Sequence, residues 1–131
     1  MDAGLNGTIS LDSHWRCAFT EQVPEGGIDG FDVESLVGFD PRAIEGRFAW
    51  LERAFDLPMP DECINYRLEI DYAPRDTHLF INGRALGEIA TPFHFDVTDF
   101  VALEDNRIVL RVAHNAFGGF GPMWLVAIPC E

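Results

Sequence analysis

One stretch, Thr77 to Phe100 (THLFINGRALGEIATPFHFDVTDF), restricts the chain to an antiparallel β fold more than any other. Leu79 and Ile81 share one face of a first strand, and Asn82-Gly83 follows at once. An Asn-Gly pair favours the positive-φ turn whose twist matches the strands on either side, so it predicts a two-residue hairpin. Arg84 to Ile89 is the return strand, with Gly87 placed for a bulge or a close backbone approach. Pro92 marks a strand start or an edge. After it, Phe93, Phe95 and Val97 alternate with His94, Asp96 and Thr98, the period-two signature of a half-buried strand.

The rest of the chain reads as cover for the apolar side of this unit. Ile9, Leu11, Trp15, Cys17 and Phe19 fall on one face, which predicts a long first strand from Thr8 to Thr20. Glu21 to Gly30 is a loop by its Pro and Gly content. Phe31 to Gly46 has no clear periodicity, and Gly38 and Pro41 exclude a long helix there. Such long irregular connections tend to carry function. Phe48 to Leu57 has the Ala, Leu and Glu content of a helix, but its aromatic density and the Pro58 and Pro60 stop favour a strand. That strand has two readings: Leu51 and Phe55 inward with Arg53 between them, or Phe48 and Trp50 inward with Glu52. Ile64, Tyr66, Leu68, Ile70 and Tyr72 alternate with Asn65, Arg67, Glu69 and Asp71 in the clearest amphipathic strand. Val101 to Asn106 is a turn with helical character, and Ile108, Leu110 and Val112 mark another strand. His114 to Pro122 is a glycine-rich loop, and Met123 to Ile128 closes the series. Seven to nine strands at short spacing predict an all-β chain: an antiparallel β-sandwich of the jelly-roll kind. The expectation is a single domain over 1–131, with disorder expected in 1–7 and the order of the loop 31–47 left open.

Composition excludes several partners. A net charge of −13, with nine Lys and Arg in all, gives no basic face for nucleic acid or for an anionic membrane surface. No apolar run approaches the roughly 18 residues of a membrane span. The hydrophobic share is 47% and includes 11 Phe, so aromatic burial supplies much of the folding drive. Cys17, Cys63 and Cys130 show no metal-ligand spacing, and MDAGLNGTIS has neither a basic nor an apolar leader region. The expectation is a cytoplasmic protein with reduced thiols.

No catalytic residues emerge. There is no G-x-S-x-G elbow, and Gly118-Gly119-Phe120-Gly121 lacks the Lys of a phosphate loop. Metal sites are equally sparse. His94 and Asp96 share a face without a His-x-His cluster, and the loop carboxylates Asp29, Asp32, Asp40 and Asp105 allow a structural calcium without requiring one. No cofactor is expected. The groups that point to chemistry are those a sugar needs, aromatic faces for its C–H surfaces and polar groups for its hydroxyl rim. Phe39, Asp40, Trp50, His114, Asn115, Phe117 and Phe120 supply them, on or beside two long loops.

At this point a family resemblance is visible. The chain resembles the galactose-binding-like sugar-binding domain of family-two glycoside hydrolases, the β-galactosidase and β-glucuronidase group, as a stand-alone domain. LDSHWRCAFTE looks like that domain's opening strand. GRFAWLERAFDLP is similar to its Gly…Trp-Tyr-Arg-Arg…Phe…Pro strand, with Leu51 at the Tyr and Glu52 at an Arg. YRLEIDYAPRDTHLFINGRALGEIATPFHFDVTDFV matches its most specific segment, and NRIVLRV its Asn-x-Leu-x-Val strand. The resemblance implies a non-catalytic domain, since the acid and nucleophile of those enzymes lie on a separate barrel. It also implies that Asp40 occupies the loop from which some β-galactosidases lend a polar residue to the active site. Gly121-Pro122 stands where some members place an acidic residue. The expected function is a carbohydrate-binding module. The alternative is an accessory subunit whose loops or edge bind a protein partner or a second copy of the chain.

Overall fold

The computed structural model describes residues 8–20, 31–37, 48–57, 63–74, 76–112 and 120–130. Ten strands follow in order: β1 (Thr8–Ser10), β2 (Ser13–Thr20), β3 (Phe31–Ser35), β4 (Phe48–Phe55), β5 (Ile64–Ile70), β6 (Thr77–Ile81), β7 (Arg84–Glu88), β8 (Phe93–Asp96), β9 (Asn106–Val112) and β10 (Met123–Pro129). They form two sheets, one in the order β1-β10-β5-β8 and the other in the order β3-β2-β4-β9-β6-β7. Every strand pair is antiparallel. The chain is therefore an antiparallel β-sandwich of the jelly-roll, galactose-binding-like kind.

The alternation read from the sequence sets the core. β5, β6 and β9 each bury every second side chain. Leu51, Leu68, Leu79, Leu110 and Met123 meet there with no exposure. The Asn82-Gly83 turn forms as expected, with φ of 50° and 82°. Gly87 sits at the predicted bulge, where the β6–β7 register shifts and leaves Leu86 without an opposite residue. Val101 to Asp105 contains no helix.

The predicted strand from Thr8 to Thr20 is two strands in different sheets. β1 pairs with β10, and β2 pairs with β3 and β4. Both sheets face the same core, so Ile9, Leu11, Trp15 and Cys17 keep their inward phase while the chain crosses from one to the other. Arg53 closes this crossover. It lies between Leu51 and Phe55, as the first of the two readings of that strand has it, and donates from Nε to Ser13 O at 2.7 Å and from Nη2 to Ser10 O at 3.4 Å. Burial lowers its pKa. β3, in the stretch without clear periodicity, is an edge strand paired to β2.

The expectation of reduced thiols is overturned for two of the three cysteines. Cys63 and Cys130 form a disulfide with Cα atoms 5.3 Å apart. They flank the antiparallel pair β5–β10, in which Ile64 faces Pro129, so sheet register sets them side by side. A separation of 67 residues hides that proximity from the sequence. Cys17 is free and buried, and burial pushes its thiol up to about 12.

Candidate functional site

Register collects one end of the sandwich. Ala49, near the start of β4, faces Val112, the end of β9, which also faces Thr77, the start of β6. In the other sheet Met123, the start of β10, faces Ile70, the end of β5. Ile89 N donates to Thr77 O at 2.9 Å as the chain leaves β7, and Ala73 N donates to Thr91 Oγ1 at 3.4 Å just beyond the β5–β8 pairing. The loop after β9 leaves from this region, whereas β3 ends beside Ser13, toward the other end of the six-stranded sheet. Val37, two residues after β3, forms a parallel bridge with Phe120, three residues before β10.

Tyr72 is the exposed aromatic of this end, at 46%. It follows β5, and its carbonyl accepts from Gly121 N at 2.8 Å, while Asp71 N donates to Pro122 O at 2.9 Å. The approach needs a glycine: a Cβ on residue 121 would lie 3.2 Å from both Tyr72 Cβ and Tyr72 N, and 3.3 Å from Asp71 Oδ2. Tyr72 borders a cleft of about 280 Å³ with Ala73, Pro74, Glu88, Ile89, Ala90 and Thr91. An open depression of about 550 Å³ lies elsewhere, along the β2–β3 edge, lined by His14, Arg16, Asp32 and Glu34 among others.

On the outer face of the six-stranded sheet, Trp50 packs 6.3 Å from the Phe48 ring and 6.1 Å from Phe80. The Arg111 guanidinium lies 4.7 Å over Phe48 and 5.9 Å from Trp50. Arg111 Nε is buried without a hydrogen-bond partner among the described residues, so the ring faces are what hold the cation.

Of the sugar-site residues named from the sequence, Phe39, Asp40, His114, Asn115 and Phe117 lie outside the described residues. Trp50 and Phe120 are described and are 2% and 3% exposed, so neither ring offers an open face. Tyr72, Thr91 and Arg111 were missed. Periodicity assigned Tyr72 to the inward face of β5, but that strand ends at Ile70 and the side chain turns out. Arg111 carried a usable signal, an outward cation opposite Trp50 in a central strand. Among the described residues no group of three or more His, Cys, Asp or Glu could hold a metal. None of their helices is long and apolar enough to cross a membrane.

No family profile matches the sequence, and no curated protein does. Solved structures do match the fold. A glycosyl hydrolase family 2 member from Bacteroides cellulosilyticus superposes with a TM-score of 0.73 at 16% identity, covering 93% of this chain and 21% of that one. A β-glucuronidase from an uncultured Clostridium gives 0.73 at 16%, covering 95% and 29%. The Bacteroides uniformis β-glucuronidase gives 0.73 at 19%, covering 93% and 18%. The chain thus spans less than a third of these relatives' length, and likeness at such identity speaks for fold alone. What the comparisons show is that this chain has the fold of a domain found within glycosyl hydrolase family 2 enzymes.

Proposed function

We propose that the chain is a non-catalytic carbohydrate-binding module, with its site at the loop end of the sandwich. The observation that carries this reading is the Val37–Phe120 bridge, which sets the residue before the 38–47 stretch against the one after the 113–119 stretch, next to the exposed Tyr72. Tyr72 offers an apolar face and a hydroxyl, and Asp71, Glu88 and Thr91 are polar groups around it. Phe39, Asp40, His114, Asn115 and Phe117 complete the proposed site from the adjoining loops. The fold likeness to family 2 enzymes supports the sugar as ligand class. Calorimetric titration with a panel of mono- and oligosaccharides tests it. A saturable response that Tyr72→Ala and Phe117→Ala each weaken supports the site, and a response untouched by both removes it.

A second reading has its own support. Val37 and Tyr72 are large exposed hydrophobics at 43% and 46%, and both stand at this end. As an accessory subunit the chain would cover them with a protein partner or a second copy of itself. Absence of any sugar response together with a concentration-dependent dimer in sedimentation would favour this over the module. The Cys63–Cys130 disulfide further suggests that the protein works in an oxidising compartment rather than in a reducing cytoplasm.

A further inference from the structure

A second constellation stands on the outer face of the four-stranded sheet, starting one rung in from Met123 and Ile70. Here β10 presents Trp124, β5 presents Arg67 and Glu69, and β8 presents His94 and Asp96. Register sets Trp124, Glu69 and His94 in one row across three neighbouring strands, and Val126, Arg67 and Asp96 in the next. Strands lie about 4.8 Å apart, so a row spans about 10 Å. Glu69 is the hub. Its Oε1 accepts from Trp124 Nε1 at 2.9 Å, and its Oε2 accepts from Arg67 Nε at 2.6 Å and lies 3.6 Å from His94 Nδ1. The Glu69 side chain is 12% exposed, whereas those of Arg67 and His94 are 43% and 59% exposed.

The bond at the indole edge fixes the ring. Trp124 Nε1 reaches sideways to β5, so the indole lies across the sheet. It is partly exposed, while Trp15 and Trp50 are at 1% and 2%. With its only donor used, what Trp124 offers to solvent is an electron-rich face. The slightly positive C–H face of a pyranose stacks on such a ring for the reason that aromatic edges meet aromatic faces. Unused polar atoms surround it. Among the described residues no bond occupies the terminal nitrogens of Arg67 or Nε2 of His94, and the Asp96 carboxylate, which accepts from Thr98, keeps further lone pairs for an incoming donor. The patch therefore holds donors and an acceptor together, which is what a rim of hydroxyls requires.

We propose that this sheet face binds a neutral oligosaccharide, with one pyranose stacked on Trp124 and hydroxyls bonded to Arg67, His94 and Asp96. A protein partner suits it poorly. The centre of a stable protein interface is depleted in charge, and here charged and titratable side chains adjoin the one aromatic. Sugar hydroxyls bring their own donors and acceptors to those groups, so little is left unpaired. An acidic glycan is disfavoured by Glu69 and Asp96 and by the net charge of −13. The face adjoins the loop end but uses none of the loop-end residues proposed above, so it stands or falls independently of them.

Acrylamide quenching of tryptophan fluorescence tests this directly. Of the three tryptophans only Trp124 has accessible surface beyond 2%, so the quenchable signal is its own. Cellohexaose, xylohexaose and mannohexaose serve as probes, with calorimetry in parallel. We expect at least one to protect Trp124 from acrylamide, and Trp124→Ala to abolish that binding while Tyr72→Ala leaves it intact. Arg67→Ala should weaken it about tenfold, the loss of one hydrogen bond to a charged group. The exposed pair Arg67→Ala/His94→Ala decides the matter if Trp124→Ala fails to fold. Quenching unchanged by all three probes overturns the proposal. So does protection that persists in the Arg67→Ala/His94→Ala variant or vanishes only in Tyr72→Ala, and that last result would leave the loop-end site standing.

Discussion

Removing the Cys63–Cys130 disulfide should lower stability by several kcal/mol without changing the fold. The bond closes a loop of sequence separation 67, and in the chain-entropy treatment such a loop restricts the unfolded ensemble by about 4 kcal/mol at 25 °C. Native geometry does not depend on the bond. β5 and β10 are both interior strands of their sheet, paired over seven positions from Met123↔Ile70 to Pro129↔Ile64, and Cys130 N donates to Cys63 O at 3.0 Å. The effect therefore falls on the unfolded chain. Small domains have a total stability of about 5–15 kcal/mol, so the loss is a large share. With a urea m-value of about 2 kcal/mol/M, the midpoint of the Cys63→Ser/Cys130→Ser variant should fall by about 2 M. Wild-type protein in dithiothreitol should follow the variant. Cys17 is an internal reporter: buried, with its thiol pushed up to about 12, it should resist alkylation until the chain unfolds. Coincident midpoints for oxidised protein, reduced protein and variant would refute the reasoning. A variant that loses its circular-dichroism signature without denaturant would refute the claim that the sheet holds unaided.

Three further outcomes follow from other parts of the fold. Asn106 is fully buried and bonds Ala102 N, Ala102 O and Asn82 Nδ2, so Asn106→Leu should cost about 2–4 kcal/mol in urea unfolding through the polar groups it strands. Gly121→Ala puts a methyl group against backbone and Cβ atoms of Tyr72 that cannot rotate away, and should cost about 1–3 kcal/mol by the same assay. For Glu69, burial pushes the carboxyl up, but the Arg67 bond and charge, the Trp124 bond and the His94 charge outweigh it and hold the pKa below its usual value. A depressed folded value stabilises above the unfolded pKa and is lost as pH falls through the folded one. The stability gap between wild type and Glu69→Gln should thus be flat near neutrality and close below about pH 4, while a gap that widens in acid would contradict the assignment.

The sequence by itself determined the local half of this protein. Period-two alternation placed β5, β6 and β9 because a sheet residue has only two directions to point, and one of them is the core. Asn82-Gly83 fixed the β6–β7 hairpin because few residues tolerate two successive positive φ angles. The polar row Arg67, Glu69 and His94, Asp96 was legible as two outward faces, though not as one surface. Tertiary structure alone decided which strands became neighbours. It split Thr8–Thr20 between two sheets, a change that alternation cannot register when both sheets enclose the same core. It joined Cys63 to Cys130, set Trp124 against Glu69 and bridged Val37 to Phe120. Each of these contacts links residues more than fifty positions apart, and pairing at that distance is chosen by the fit of whole strands, which no local pattern encodes.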